Sequence, residues 1–108
     1  MNHNKAIRDK IPEIITKSGS NCNVKKLPDQ EFLEKLEVKL SEEVSEYLES
    51  NSLEELADIQ EVINRILELK GISKEKLSEI QTMKRDERGG FENNLFLIDT
   101  SEKENQSD

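Results

Sequence analysis

The sequence predicts an all-α protein, an antiparallel helical bundle built on two long helices plus a third, with a shorter helix at the N-terminus and completion by oligomerisation. Three observations predict it. Two long stretches, from Gln30 to about Ser50 and from Leu53 to about Lys70, repeat apolar residues at helical spacing, and only Asn51-Ser52 separates them. Ser52 and Ser73 stand where N-caps belong, and Gly71 where a helix stops. Finally, 108 residues with 32% hydrophobic and 37% charged side chains make one domain with a modest core, marginal on its own. A homodimer, or a dimer of dimers that shares helices across its interface, is therefore expected.

In chain order, Met1 to Lys5 is polar and loose. Arg8 to Lys17 reads as a short helix with Ile7, Ile11, Ile14 and Ile15 facing inward. Pro12 falls in its first turn, where proline is tolerated, and Gly19 is a stop. Ser18 to Pro28 is a polar connector. Asp29 looks like the N-cap of the first long helix, which spans roughly 30 Å at 1.5 Å per residue. A third long helix runs from Lys74 to about Asp86, with Leu77, Ile80 and Met83 on its inner face. Phe91 to Ile98 alternates loosely between polar and apolar residues and is expected to be extended, packing on the bundle or on a partner subunit. Residues 1–98 thus form the domain, and 99–108 an acidic, polar, disordered tail.

A net charge of −8 argues against a general nucleic-acid or anionic-membrane surface, while leaving room for a small phosphate ligand that enters on its metal. Cys22 is the only cysteine, so the chain can form no internal disulfide and has no metal-thiolate motif. Without a signal-peptide core or an apolar run of membrane length, a cytoplasmic location is expected. His3, the only histidine, lies near a loose end, which disfavours di-iron bundles built on Glu-x-x-His.

Two acids sit where leucines should be. On a helical wheel of the first long helix, Phe32, Leu33, Leu36, Leu40, Val44, Tyr47 and Leu48 fill one arc. Glu43 falls inside it, Glu46 at its edge, and Glu42 points away. On the second, Glu55 falls within the apolar arc and Asp58 at its edge. Spacing i, i+3 keeps each pair on one face, and a short link makes the helices antiparallel neighbours, so the pairs can converge. Four carboxylates in a partly dry place repel one another and lose hydration, which a hard divalent cation with oxygen ligands offsets. Glu43, Glu46, Glu55 and Asp58 are the candidate metal ligands. An oxygen-only set favours Mg²⁺, with Mn²⁺ as the alternative, over zinc. The plainer reading of Ser52-Leu-Glu-Glu55 is a capping box, with Glu55 reaching back to the Ser52 amide. Lys84, Arg85 and Arg88, at the end of the third helix and followed by Gly89-Gly90, suggest an adaptable phosphate clamp, although cations there also complement a helix dipole. Arg8 and Lys10 are further phosphate contacts or simply surface charges.

Glu42-Glu43-x-x-Glu46 followed by Glu55-x-x-Asp58 resembles the signature of the all-α, MazG-like nucleoside triphosphate pyrophosphohydrolases, and more narrowly the small phosphoribosyl-ATP pyrophosphohydrolase-like members. Ile7-Arg8-Asp9-Lys10-Ile11-Pro12 and Lys84-Arg85-x-x-Arg88-Gly89-Gly90-Phe91 extend the resemblance from the N-terminus to about Leu97. The gap between Glu46 and Glu55 is shorter than in many members and leaves little room for a substrate-capping insertion. The resemblance implies Mg²⁺-dependent hydrolysis of a nucleoside triphosphate, or a similar nucleotide, to monophosphate and pyrophosphate, as in nucleotide-pool house-cleaning. It implies catalytic roles for Glu42, Glu43, Glu46, Glu55 and Asp58, with Glu42 orienting a water or a ligand, and substrate binding by Arg8, Lys10, Lys84, Arg85 and Arg88. Two alternatives stand beside it. One is the same fold acting on phosphoribosyl-ATP or another pyrophosphate ester. The other is a non-enzymatic, antitoxin-like helical partner whose acids serve caps and surface pairs.

Overall fold

A computed structural model describes residues 1–103; residues 104–108, which hold half of the expected acidic tail, lie outside the described part. The chain is all-helical: α1 (Ile11–Lys17), α2 (Asp29–Ser50), α3 (Leu53–Lys70) and α4 (Lys74–Arg88), with no strand among the described residues. α2 and α3 form an antiparallel hairpin, the one extensive helix–helix contact among the described residues. The link is short because Asn51 takes the left-handed conformation (φ 55°) that a short polar side chain tolerates, its N–H reaching the Tyr47 carbonyl at 2.7 Å. Ser52 then caps α3, its hydroxyl accepting from the Glu55 amide at 3.3 Å. At the far end Gly71 (φ 69°) closes α3 in a Schellman turn, with Ile72 N–H donating to the Leu67 carbonyl. Ser73 caps α4 through the Lys76 amide at 3.0 Å.

The core occupies the half of the hairpin away from the link. Ala6, Leu36 and Val62 are buried together, with Phe32, Leu40, Ile66 and Leu69 packed against them. Ala6 brings the N-terminal segment onto the hairpin and so sets Arg8 beside it. Among the described residues only four apolar ones are buried, and no side chain is fully enclosed, as expected of a chain with this apolar supply.

Several expectations are corrected. Asp29 is the first residue of α2 and not its N-cap; Pro28 precedes it in extended geometry (ψ 154°), and Asp29 serves the helix dipole from the first turn. α1 begins at Ile11 rather than Arg8, with residues 9 and 10 in a turn, and Ile14 is exposed while Ile7, Ile11 and Ile15 are half-buried. α4 runs on to Arg88 but does not pack on the hairpin; Leu77, Ile80 and Met83 are 38, 43 and 54% exposed. Phe91 and the Leu95–Ile98 run are also exposed, so nothing among the described residues covers them. With α4 unpacked the molecule is 79 Å long, and its radius of gyration of 20.6 Å exceeds the roughly 13 Å of a compact chain this size.

Candidate metal centre

The link half of the hairpin holds the acids. Glu43 on α2 is only 7% exposed, the one buried charged residue among those described. Its position in the apolar arc of α2 puts it there: the turn that buries Leu36 and Leu40 buries Glu43 one turn later. Glu55 and Asp58 approach from α3, both half-buried. Glu43, Glu55 and Asp58 each present an oxygen such that all three lie within 4.8 Å of one another. That span is comparable with the roughly 4–5 Å between oxygens on opposite sides of a hard cation at 2.0–2.6 Å. This cluster could hold a metal ion.

The partners of these carboxylates leave part of each group free. Lys39 Nζ, one turn before Glu43 and mostly buried, lies 3.5 Å from Glu43 Oε1. Arg8 donates to Asp58 Oδ1 at 2.5 Å. Glu43 Oε2 and Glu55 Oε2 are buried and have no hydrogen-bond partner. A buried carboxylate oxygen without a donor lacks the hydrogen bond that water would give it, so two of them on residues of one cluster form a site short of positive charge. The Glu55 carboxyl titrates above its ordinary value near 4.5, first because of desolvation, then because of repulsion by Glu46, Asp58 and Glu43.

The capping-box reading of Glu55 is only half realised. The Ser52 hydroxyl does accept from the Glu55 amide, but the Ser52 amide donates to Ser50 Oγ at 3.2 Å, not to the Glu55 carboxylate. The side chain of Glu55 is thereby released to the cluster.

Not every expected ligand or contact is present in the cluster. Glu46 is exposed and stands outside the tight group of three, although it adjoins Glu55 closely enough to raise its pKa. Glu42 is exposed and lines a surface groove along α2 with Val38, Ser41, Ser45, Glu46 and Glu49. Arg8 reaches the cluster through Asp58; Lys10 stands at the start of α1 and has no ion pair among the described residues. Among the described residues no ion pair or hydrogen bond joins Lys84, Arg85 or Arg88 to the acids, since α4 leaves the far end of α3; Arg85 pairs with Glu92 instead. Lys39 is the residue that sequence reasoning missed. Its i, i+4 spacing to Glu43 was the available signal, masked by the many such pairs in a chain this charged.

No helix among the described residues is long and apolar enough to cross a membrane. No family model matches the chain, and no curated protein or solved structure matches it significantly.

Proposed function

We propose that Glu43, Glu55 and Asp58 hold a divalent cation, Mg²⁺ or Mn²⁺, and that the protein is a nucleotide pyrophosphohydrolase of the MazG-like type. The observation that carries the reading is Glu43: a carboxylate more than nine-tenths buried, with one oxygen unpartnered, grouped with two further carboxylates on the neighbouring helix. All donors are oxygens, which suits a hard cation. The resemblance of the two acid pairs and of the segments around Arg8 and Lys84 to the family adds the substrate class.

When bound, such a cation supplies Lewis acidity, polarising phosphate oxygens and lowering the pKa of a coordinated water. The side chains supply the rest. Glu43 and Glu55 are anchored on opposite helices, so the hairpin fixes their separation. Lys39 holds one oxygen of Glu43 and thereby orients the other. Arg8 neutralises Asp58 and brings a guanidinium to the rim of the site, where it can bind a phosphate oxygen. Glu46, exposed beside Glu55, can pass a proton to solvent. In the reaction a water oxygen bonds to the α-phosphorus and the bond from that phosphorus to the α,β-bridging oxygen breaks. The electron pair leaves with pyrophosphate, and the water proton passes to solvent. Glu42, exposed and outside the group of three, has no part in these steps.

The test is pyrophosphate release from a panel of canonical and damaged nucleoside triphosphates and phosphoribosyl-ATP, with Mg²⁺ or EDTA, for the wild type and Glu43→Gln. Mg²⁺-dependent release is expected, reduced at least about 100-fold in the variant, since even outer-shell partners of a metal act on the 10–100-fold scale. No release, together with no Mg²⁺ binding by calorimetry, overturns the reading in favour of a non-enzymatic helical partner.

A further inference from the structure

Lys39 puts a buried ammonium beside a site that gathers carboxylates for a cation. Its Nζ lies 3.5 Å from Glu43 Oε1, and the two side chains are 17 and 9% exposed. No other ion pair among the described residues is so enclosed; those of Glu13, Glu68, Glu79 and Glu92 are open to solvent at both ends. Open pairs are screened and hold little geometry, whereas an enclosed pair is screened much less.

Two plainer roles for Lys39 fall short. One is local support of α2 by an i, i+4 pair. On a helix surface the better order puts Glu before Lys, as in Glu13 and Lys17, and here Lys comes first. The other is neutralisation of a buried acid. Glu55 in the same cluster also buries an unpartnered oxygen, yet it has no ion pair among the described residues.

The pair divides the Glu43 carboxylate. A carboxylate can meet a metal with one oxygen or with both. Oε1 is taken by Lys39, and Oε2 is buried without a partner. Oε2 is thus the oxygen left for a cation shared with Glu55 and Asp58. Ligation through both oxygens would displace Lys39 and leave its ammonium unpaired in largely dry surroundings, which is costly. Arg8 likewise engages one oxygen of Asp58, but that pair is 53 and 38% exposed and its hold is weaker.

Hard cations differ in what they ask of a carboxylate. Mg²⁺ demands a near-octahedral shell at about 2.0–2.1 Å and keeps several waters. Ca²⁺ is larger, takes roughly six to eight oxygens and readily accepts a carboxylate through both of its own. A carboxylate confined to one oxygen suits the first ion and starves the second.

We infer that Lys39 is a specificity-determining positioning residue: by holding Oε1 it confines Glu43 to ligation through Oε2 alone, which fits the site to a small six-coordinate cation and disfavours Ca²⁺. The inference rests on the cation site proposed above and not on the nucleotide reaction. Lys39 acts through Glu43 and not on the cation itself. Its charge lowers the affinity for every divalent ion, and because Mg²⁺ and Ca²⁺ carry the same charge that effect largely cancels in their ratio. The ratio therefore reports how Glu43 ligates.

The test is calorimetry of Mg²⁺, Mn²⁺ and Ca²⁺ binding to the full chain, for the wild type, Lys39→Met and Lys39→Arg. In Lys39→Met the ratio of affinities is expected to move about tenfold or more toward Ca²⁺, the scale on which partners that orient metal ligands act. Lys39→Arg keeps a donor for Oε1 and is expected to stay near the wild-type ratio. An unchanged ratio in Lys39→Met overturns the inference and leaves Lys39 as a counter-charge for a buried acid. A crystal structure of the wild type grown with Mn²⁺ decides the same point without any variant, should Lys39→Met fail to fold. Lys39 on Oε1 with Mn²⁺ on Oε2 alone is expected, and Mn²⁺ on both oxygens overturns the inference. Failure of all three ions to bind the wild type overturns the cation site and the inference with it. The expected shift in a protein that turns over no nucleotide upholds the inference and overturns only the proposed reaction.

Discussion

The two halves of the α2–α3 hairpin share the same pair of helices and differ in what they put between them. Away from the link, Leu36 and Val62 close on Ala6 with Phe32, Leu40, Ile66 and Leu69 around them. Toward the link, the same helical faces carry Glu43, Glu55 and Asp58, and two carboxylate oxygens are buried without partners. Burial that stabilises the first half is unfavourable in the second, because a carboxylate loses hydration that a leucine never had. The apolar half holds the helices in register, and the register forces the acids together. A site that concentrates like charge needs such a support, since the acids left alone would drive the helices apart.

The comparison can be broken most severely in its apolar half. Leu36→Ala removes the best-buried side chain of α2 and leaves a gap against Ala6 and Val62. A loss of about 2–5 kcal/mol is expected, read from urea unfolding. For a core this small that is a large part of the total stability, and binding of Mg²⁺ should fall with it. A loss below about 1 kcal/mol would mean that the hairpin is held elsewhere, in the interface with a second copy. Ser52→Ala acts between the halves. It removes the acceptor for the Glu55 amide, and a loss of about 1 kcal/mol is expected. The same change at Ser73 frays α4, which makes no extensive contact with another helix among the described residues, so the difference between the two cap variants measures how far α4 is coupled to the rest. Equal losses would show that α4 is docked in solution.

What was legible in the sequence follows the same division. Helix existence and ends come from local chemistry, and Ser52, Gly71 and Ser73 act where they were expected. The burial of Glu43 could be read from the wheel because one helix face is a rigid, periodic object. Whether Glu55 turned to the Ser52 amide or to the cluster could not be read, because both satisfy the same spacing; Ser50 Oγ decided it by taking that amide. The Arg8–Asp58 pair spans fifty residues, and the docking of Ala6 on the hairpin brings it about, which no local pattern encodes. The packing of α4 could not be read either. An amphipathic stripe says that a helix wants cover, and it does not say from which chain.

The smallest effect sharpens the acid half. Glu55 is the group whose environment disfavours ionisation, through desolvation first and then through Glu46, Asp58 and Glu43, while the cations in contact with the cluster, Arg8 and Lys39, engage Asp58 and Glu43. Its carboxyl in the folded chain therefore titrates above the unfolded value near 4.5. Below that unfolded value both states carry the proton and Glu55 contributes nothing. Between the unfolded and the folded pKa the unfolded chain ionises while the folded chain keeps the Glu55 proton, so a destabilising contribution grows with pH and is fully present above the folded pKa. In EDTA, the melting temperature is expected to rise as pH falls from neutral toward that window. Glu55→Gln should flatten the dependence and raise the metal-free melting temperature at neutral pH. Saturating Mg²⁺ should produce a similar gain in the wild type only, because it supplies at neutral pH the charge that the proton supplies at low pH. A wild type whose metal-free melting temperature falls along with pH through this range, as paired carboxylates would make it do, would show that Glu55 is neutralised by a cation of the protein. The acid half would then be a closed salt-bridge network with no need of a metal.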